Sequence, residues 1–201
     1  MTRTFIALEL DKALQRHLGR ILRRMAQELP SLCWVDPARI HLTLAFLGQL
    51  SDEQLAAVIS AAELVARKVS SFDFRLSQPG IFGTRQQPSV IWMGVDEPSG
   101  KLLQLQRELN LELAQRGFEV DKRPFSPHLT LSRVKAPLNA EEQQRLQKLL
   151  TVKGRQSSSP TMHVSQISVM KSELSRAGAK YTSLYHVALG LNEASPLNLT
   201  P

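Results

Sequence analysis

The chain has 201 residues, 42% of them apolar and 21% charged, which excludes a disordered or low-complexity protein and suffices for one domain or two small fused lobes. A formal net charge of +7 favours a polyanionic partner such as nucleic acid without identifying one. The single cysteine, Cys33, excludes an internal disulfide and argues against a thiolate metal site.

In chain order, residues 2–9 alternate as a strand, and Leu14, Leu18, Ile21, Leu22, Met25 and Leu29 then fall on one helical face until Pro30 stops the helix. A strand is expected over 39–47, closed by Gly48. Ser51-Asp52-Glu53-Gln54 has the form of a capping box, and apolar residues continue at helical spacing to Val69. Residues 72–77 read as a strand, and 78–88, with two glycines and two prolines, as a loop. The second half predicts a strand over 89–95, a helix from Lys101 to about Gly117, a strand over 127–134 and a short helix from Asn139 to about Leu150. A polar loop over 153–160 follows. Strands over 162–169 and 181–189 flank a basic loop at 171–180, and the tail 191–201 reads as loosely ordered. No apolar run reaches membrane-spanning length, and the N-terminus lacks the pattern of a signal peptide. A cytoplasmic protein with no membrane association is the expectation.

Each half runs strand, helix, strand, helix, strand, and each carries the tetrapeptide His-Leu-Thr-Leu in its middle strand, as His41-Leu42-Thr43-Leu44 and His128-Leu129-Thr130-Leu131. The expectation is therefore a domain over 1–190 of α/β or α+β layering formed by internal duplication, with pseudo-symmetric lobes at about 1–80 and 81–190 that are free to exchange strands. Side chains two apart on a strand share a face, so each motif offers an imidazole beside a hydroxyl, backed by two leucines directed at a core. If the faces meet, His41 and His128 surround one cleft with Thr43 and Thr130. Opening a cyclic phosphodiester needs a base for water and an acid for the departing ribose oxygen, on opposite sides of phosphorus, and histidine suits both roles. The threonine hydroxyls suit the non-bridging phosphate oxygens. One such tetrapeptide is more often a plain amphipathic strand; its recurrence at matching places against a basic background favours catalysis. His17, His163 and His186 lack a threonine two positions on and read as structural or solvent-facing. Neither motif supplies further ligands for a zinc ion, so no metal is expected.

With these flanks, "IHLTLAFLG" over 40–48 and "RPFSPHLTLSR" over 123–133, together with Phe5-Ile6-Ala7-Leu8 and the late stretch 171–184 with Tyr181, the chain resembles the two-histidine phosphoesterase superfamily. The likeness is greatest to its RNA 2′,3′-cyclic phosphodiesterases, formerly called 2′-5′ RNA ligases. The resemblance implies an α+β fold with two antiparallel sheets facing across a V-shaped cleft, helices outside, and both histidines within the cleft. It also implies hydrolysis of RNA 2′,3′-cyclic phosphate ends to 2′-phosphomonoesters, and a weak, reversible, ATP-independent 2′-5′ joining in some members. It calls for no cofactor and no obligate protein partner. Arg133 occupies the basic position after the second motif and is assigned phosphate contact, although strict alternation sets it on the strand face opposite His128. Phe46 reads as a core residue rather than a base-stacking one. Arg123, Lys171, Arg176 and Lys180 are expected in loops bordering the cleft, on RNA phosphates. Two other readings stay open: the same chemistry on a small cyclic nucleotide, and a non-catalytic RNA-binding module. The motifs do not say which histidine is acid and which is base.

Overall fold

In the computed structural model, which describes residues 1–151, 159–175 and 178–190, strand β1 (Thr2–Glu9) buries Phe5, Ile6, Ala7 and Leu8 in succession. A strand covered on both faces is apolar without a break. Asp11 then caps helix α1 (Lys12–Glu28) by accepting the Leu14 N–H at 2.7 Å, and Leu14, Leu18, Leu22 and Met25 form its buried stripe. The expected strand at 39–47 is shifted: Asp36 and Pro37 set a 3₁₀ turn, Pro37–Arg39, and β2 (His41–Leu50) runs through Gly48 instead of stopping there. Gly48 takes a left-handed φ of 74° beside the extra residue Leu47, where the register with β1 slips. The glycine therefore serves a bulge.

Helix α2 (Asp52–Ala66) opens with the reciprocal Ser51–Gln54 capping box. Strands β3 (Phe72–Gly83) and β4 (Pro88–Asp96) form a hairpin, so the loop expected over 78–88 shrinks to its tip. Pro79 is tolerated there because β3 pairs with β6 only at Phe72–Phe74, and the missing N–H costs no ladder bond on that side. Gly80 is required because a Cβ would lie 2.3 Å from the Trp92 ring. Helix α3 (Lys101–Gln115), strand β5 (His128–Arg133) and helix α4 (Ala140–Thr151) follow. Asn139 and Glu142 cap α4 reciprocally at 2.9 Å.

The last strands differ most from expectation. The single strand expected over 162–169 is two, β6 (Met162–Val164) and β7 (Gln166–Ser175), and the basic loop at 171–180 is largely strand, since β8 (Gly178–Ala188) starts at once. The outer half of this hairpin carries no apolar alternation in its sequence; opposite charges at Glu173↔Lys180 help pair it. The polar loop expected over 153–160 falls mostly outside the described residues, as does the tail 191–201.

The strands order as β6-β3-β4-β5-β2-β1-β7-β8, all neighbours antiparallel. Each motif strand thus heads a four-stranded half, β2-β1-β7-β8 and β5-β4-β3-β6, and the halves meet at a single registered pair, Leu42↔Leu129. Helices α2, α3 and α4 pack on β7 and β8, on β2 and on β3 respectively, leaving the opposite face of the curled sheet for the cleft. Among the described residues no helix is long and apolar enough to cross a membrane. Leu42 and Leu129 are fully buried and lie at the joint. Replacing either by Ala is expected to lower unfolding free energy by about 2–5 kcal/mol, read from urea midpoints. A loss under about 0.5 kcal/mol, typical of surface positions, would show that the joint repacks freely.

Candidate active site

Continuing the Leu42↔Leu129 register sets His41 across from Thr130 and Thr43 across from His128. The imidazoles are then diagonal neighbours, for which the ordinary separation is about 7–8 Å. All four side chains are half-buried while Leu42, Leu44, Leu129 and Leu131 are buried. His41, Thr43, His128 and Thr130 line one cavity of about 790 Å³, with Arg133 and Phe46 also in its wall.

Arg133 reaches this cavity because β5 does not alternate strictly. The β4–β5 register passes from Ile91↔Ser132 to Trp92↔Thr130, so Leu131 is an extra residue. On β2 the register with β1 passes from Ile6↔Ala45 to Ala7↔Thr43, so Leu44 is extra in the same way. A bulge at the fourth residue of each motif reverses the following alternation. The fifth residue beyond each histidine, Arg133 and Phe46, therefore rejoins the histidine's face. Phe46 is 65% exposed and not a core residue, correcting the expectation; the bulge removes it from the packed side.

Both imidazoles are fixed alike. His41 Nδ1 lies 2.9 Å from the Arg39 carbonyl and His128 Nδ1 2.7 Å from the Ser126 carbonyl, each two residues back. A carbonyl only accepts, so Nδ1 carries the proton and donates, and Nε2 is left for proton exchange. Aromatic rings hold the imidazoles in place: Tyr181 meets His41 edge-on at 4.8 Å and Phe5 lies at 4.9 Å, while Phe82 meets His128 edge-on at 4.8 Å. Burial pushes the His41 imidazole below its ordinary value; its bond to the Arg39 carbonyl and the nearby Glu9 carboxylate act upward, and Arg133 acts downward.

The remaining cations are dispersed. Lys180 lines a neighbouring cavity of about 630 Å³ that shares His41 and Tyr181 with the first. Arg123 is bound instead to Asp121, at 2.6 Å, holding that carboxyl down to about 2. Lys171 pairs with Glu173 at 2.9 Å, and both lie on β7 and not in a loop; Arg176 falls outside the described residues. Arg3, Arg39 and Lys135, unremarked in the sequence, line the motif cavity. So does Phe5, which the sequence marks as a strand residue within the resemblance and not as a cleft residue; the alternation expected over 2–9 gives way to continuous burial of 4–8. Among the other histidines, His163 pairs with Asp73 at 2.7 Å and His186 contacts Ser168 and Glu9. Among the described residues, no group of three or more His, Cys, Asp or Glu stands close enough to hold a metal ion.

Comparison with known proteins identifies the family and the fold. The sequence pattern of the 2′-5′ RNA ligase superfamily matches residues 9–176. The chain is 31% identical over 184 residues to the RNA 2′,3′-cyclic phosphodiesterase of Methanothermobacter thermautotrophicus, covering 90% of this chain and 96% of that one. It is 34% identical over 170 residues to the protein of the same name from Aeropyrum pernix, covering 85% and 93%. Among solved structures it is similar to apo LigT of E. coli, with a TM-score of 0.66 and 26% identity over 94% of this chain and 97% of that one. A Thermus thermophilus protein shares the fold with a TM-score of 0.74 at 24% identity, covering 94% and 98%. A sequence match over most of its length and a shared fold place this chain in the 2′-5′ RNA ligase superfamily.

Proposed function

We propose that this protein hydrolyses 2′,3′-cyclic phosphate ends of RNA to 2′-phosphomonoesters, with His41 and His128 as its acid–base pair. The observation that carries the reading is the diagonal placement of two imidazoles in one cavity, each held through Nδ1 so that Nε2 is available. With the phosphate between them, one Nε2 takes a proton from water as the water oxygen bonds to phosphorus. The other gives a proton to O3′ as the P–O3′ bond breaks. Each proton lost at one ring is matched by one gained at the other, so no outside acid or base is needed. The Thr43 and Thr130 hydroxyls and the Arg133 guanidinium donate to the non-bridging oxygens, where charge builds in the transition state. A 5′-hydroxyl in place of water gives a 2′-5′ linkage by the same bond changes, without ATP.

The wall of the cavity favours an RNA end over a free mononucleotide. Exposed Phe46 supplies a flat apolar surface beside the motif residues, and Arg3, Arg39 and Lys135 add positive charge around them. The test is to treat an oligoribonucleotide ending in a 2′,3′-cyclic phosphate with the protein in EDTA and follow the product by phosphorus NMR. A 2′-phosphate, formed faster than from the cyclic mononucleotide, is expected. A 3′-phosphate would reverse the substrate's orientation, and metal-dependent turnover would replace the two-histidine mechanism. RNA binding without turnover would leave a binding module.

A further inference from the structure

The two motif strands are alike from their bulges to their Nδ1 bonds, but the strands beside them are not. The residue paired with His41 on β1 is Glu9, whereas the residue paired with His128 on β4 is Gly94. Paired residues of an antiparallel ladder share a face, so a carboxylate adjoins one imidazole and the paired position beside the other has no side chain. Position 94 cannot readily take one: a Cβ there would lie 2.3 Å from Ser77 Oγ and 2.9 Å from the Gln78 carbonyl.

Glu9 is also held in place. Ser168 on β7, only 1% exposed, donates its hydroxyl proton to Glu9 Oε2 at 2.7 Å. With that proton committed, Ser168 Oγ can only accept from His186 Nδ1, at 3.0 Å, and His186 Nδ1 is itself 3.5 Å from the same Glu9 oxygen. The register Ala7↔Ser168↔His186 lays this group on the cleft face of β1, β7 and β8. Glu9 and Ser168 line the cavity of about 630 Å³ that adjoins the motif cavity at His41.

We propose that Glu9, set by Ser168 and His186, is a positioning residue that stabilises the protonated form of His41 and so makes the two histidines electrostatically unequal. The inference rests on the reading that His41 exchanges a proton with substrate. Its physical need comes first from the burial of His41 and then from Arg133. A guanidinium placed for the phosphate also disfavours an imidazolium, as does the burial of His41, and both act downward on that ring. Among the described residues, the charged or titratable groups that line the two cavities meeting at His41 are Glu9, Asp11, Lys12, Arg39, His163, Lys180 and Tyr181 in one, and Arg3, Arg39, His128, Arg133, Lys135 and Tyr181 in the other. The anions among these at neutral pH are Glu9 and Asp11; Asp11 is engaged as the α1 cap by the Leu14 N–H, and only Glu9 pairs with His41. The Glu9 charge favours the imidazolium that a proton donor must start from, and no carboxylate stands at the paired position beside His128.

The test is histidine-resolved NMR titration of the full chain and of Glu9→Gln, alongside the pH profile of kcat on a cyclic-phosphate oligonucleotide. In Glu9→Gln the His41 midpoint is expected to fall while that of His128 stays in place, and the alkaline limb of kcat to move to lower pH. At neutral pH kcat should drop by up to about tenfold, a part of the roughly 10²–10⁴ that one acid or base is worth. Glu9→Asp should restore much of the shift, and Ser168→Ala, which frees the carboxylate, should reproduce a smaller one. An unmoved His41 midpoint, or equal movement of both histidines, overturns the proposal. The titration needs no turnover, so an inactive wild-type protein would refute the proposed reaction while still reporting whether Glu9 acts on His41.

Discussion

Replacing His41 or His128 by alanine is expected to lower kcat on a cyclic-phosphate end by roughly 10²–10⁴-fold, the usual worth of one general acid or base. The proposed roles require both rings at one phosphorus, with Nε2 presented by the bonds from Nδ1 to the Arg39 and Ser126 carbonyls. Because the two transfers belong to one displacement, the double variant should lose less than the product of the single losses. Folding is not at stake, since both rings are only half-buried on the cleft face and the core is made by the leucines behind them. Single-turnover rates measured beside thermal melts check this. A single variant with near wild-type turnover and an unchanged melt would remove that histidine from the mechanism.

Arg133→Gln is expected to give the next largest loss, roughly 10²-fold in kcat, comparable to removing one donor from a site of developing negative charge. The side chain is exposed at the end of β5, so its removal costs little stability. It stands in the cavity only because the bulge at Leu131 turns it there. Arg133→Lys should recover the charge but not the two-pronged geometry of a guanidinium on phosphate oxygens, giving intermediate activity. The loss should appear in kcat more than in KM, because the contact strengthens as charge moves onto the non-bridging oxygens. A change confined to KM would instead make Arg133 a general RNA contact.

The layering of helices on strands, the four helices and the two motif strands were legible in the sequence because each rests on local chemistry. The Asp11 cap, the Ser51–Gln54 capping box and the Asn139 cap start helices whose apolar residues recur at three and four positions. The motifs announced their own faces, imidazole and hydroxyl on one side and leucines on the other. Strand ends and turns were less legible. Residues 78–83 hold a proline and a glycine and read as loop, yet they form strand because β4 lies alongside and Trp92 covers Gly80. Residues 162–169 read as one strand, but Ser165 divides them between opposite ends of the sheet, β6 on β3 and β7 on β1. Hydrogen bonding to a partner distant in sequence makes a strand, and periodicity within one segment cannot report it.

The same boundary runs through the site. The residues proposed for the chemistry, His41 and His128 for proton transfer with Thr43 and Thr130 for the phosphate, were legible in the sequence alone, since residue type and spacing of two are local properties. What only the tertiary structure decided is which other side chains join them. Arg133 and Phe46 stand in the cleft because bulges at Leu131 and Leu44 shift the register against β4 and β1, and Glu9 stands beside His41 because the β1–β2 register beyond the Leu44 bulge pairs the two. Bulges and register are properties of two strands together. The motif strands are near copies of each other, so the difference between their histidines comes from the unlike strands, β1 and β4, that the fold sets beside them.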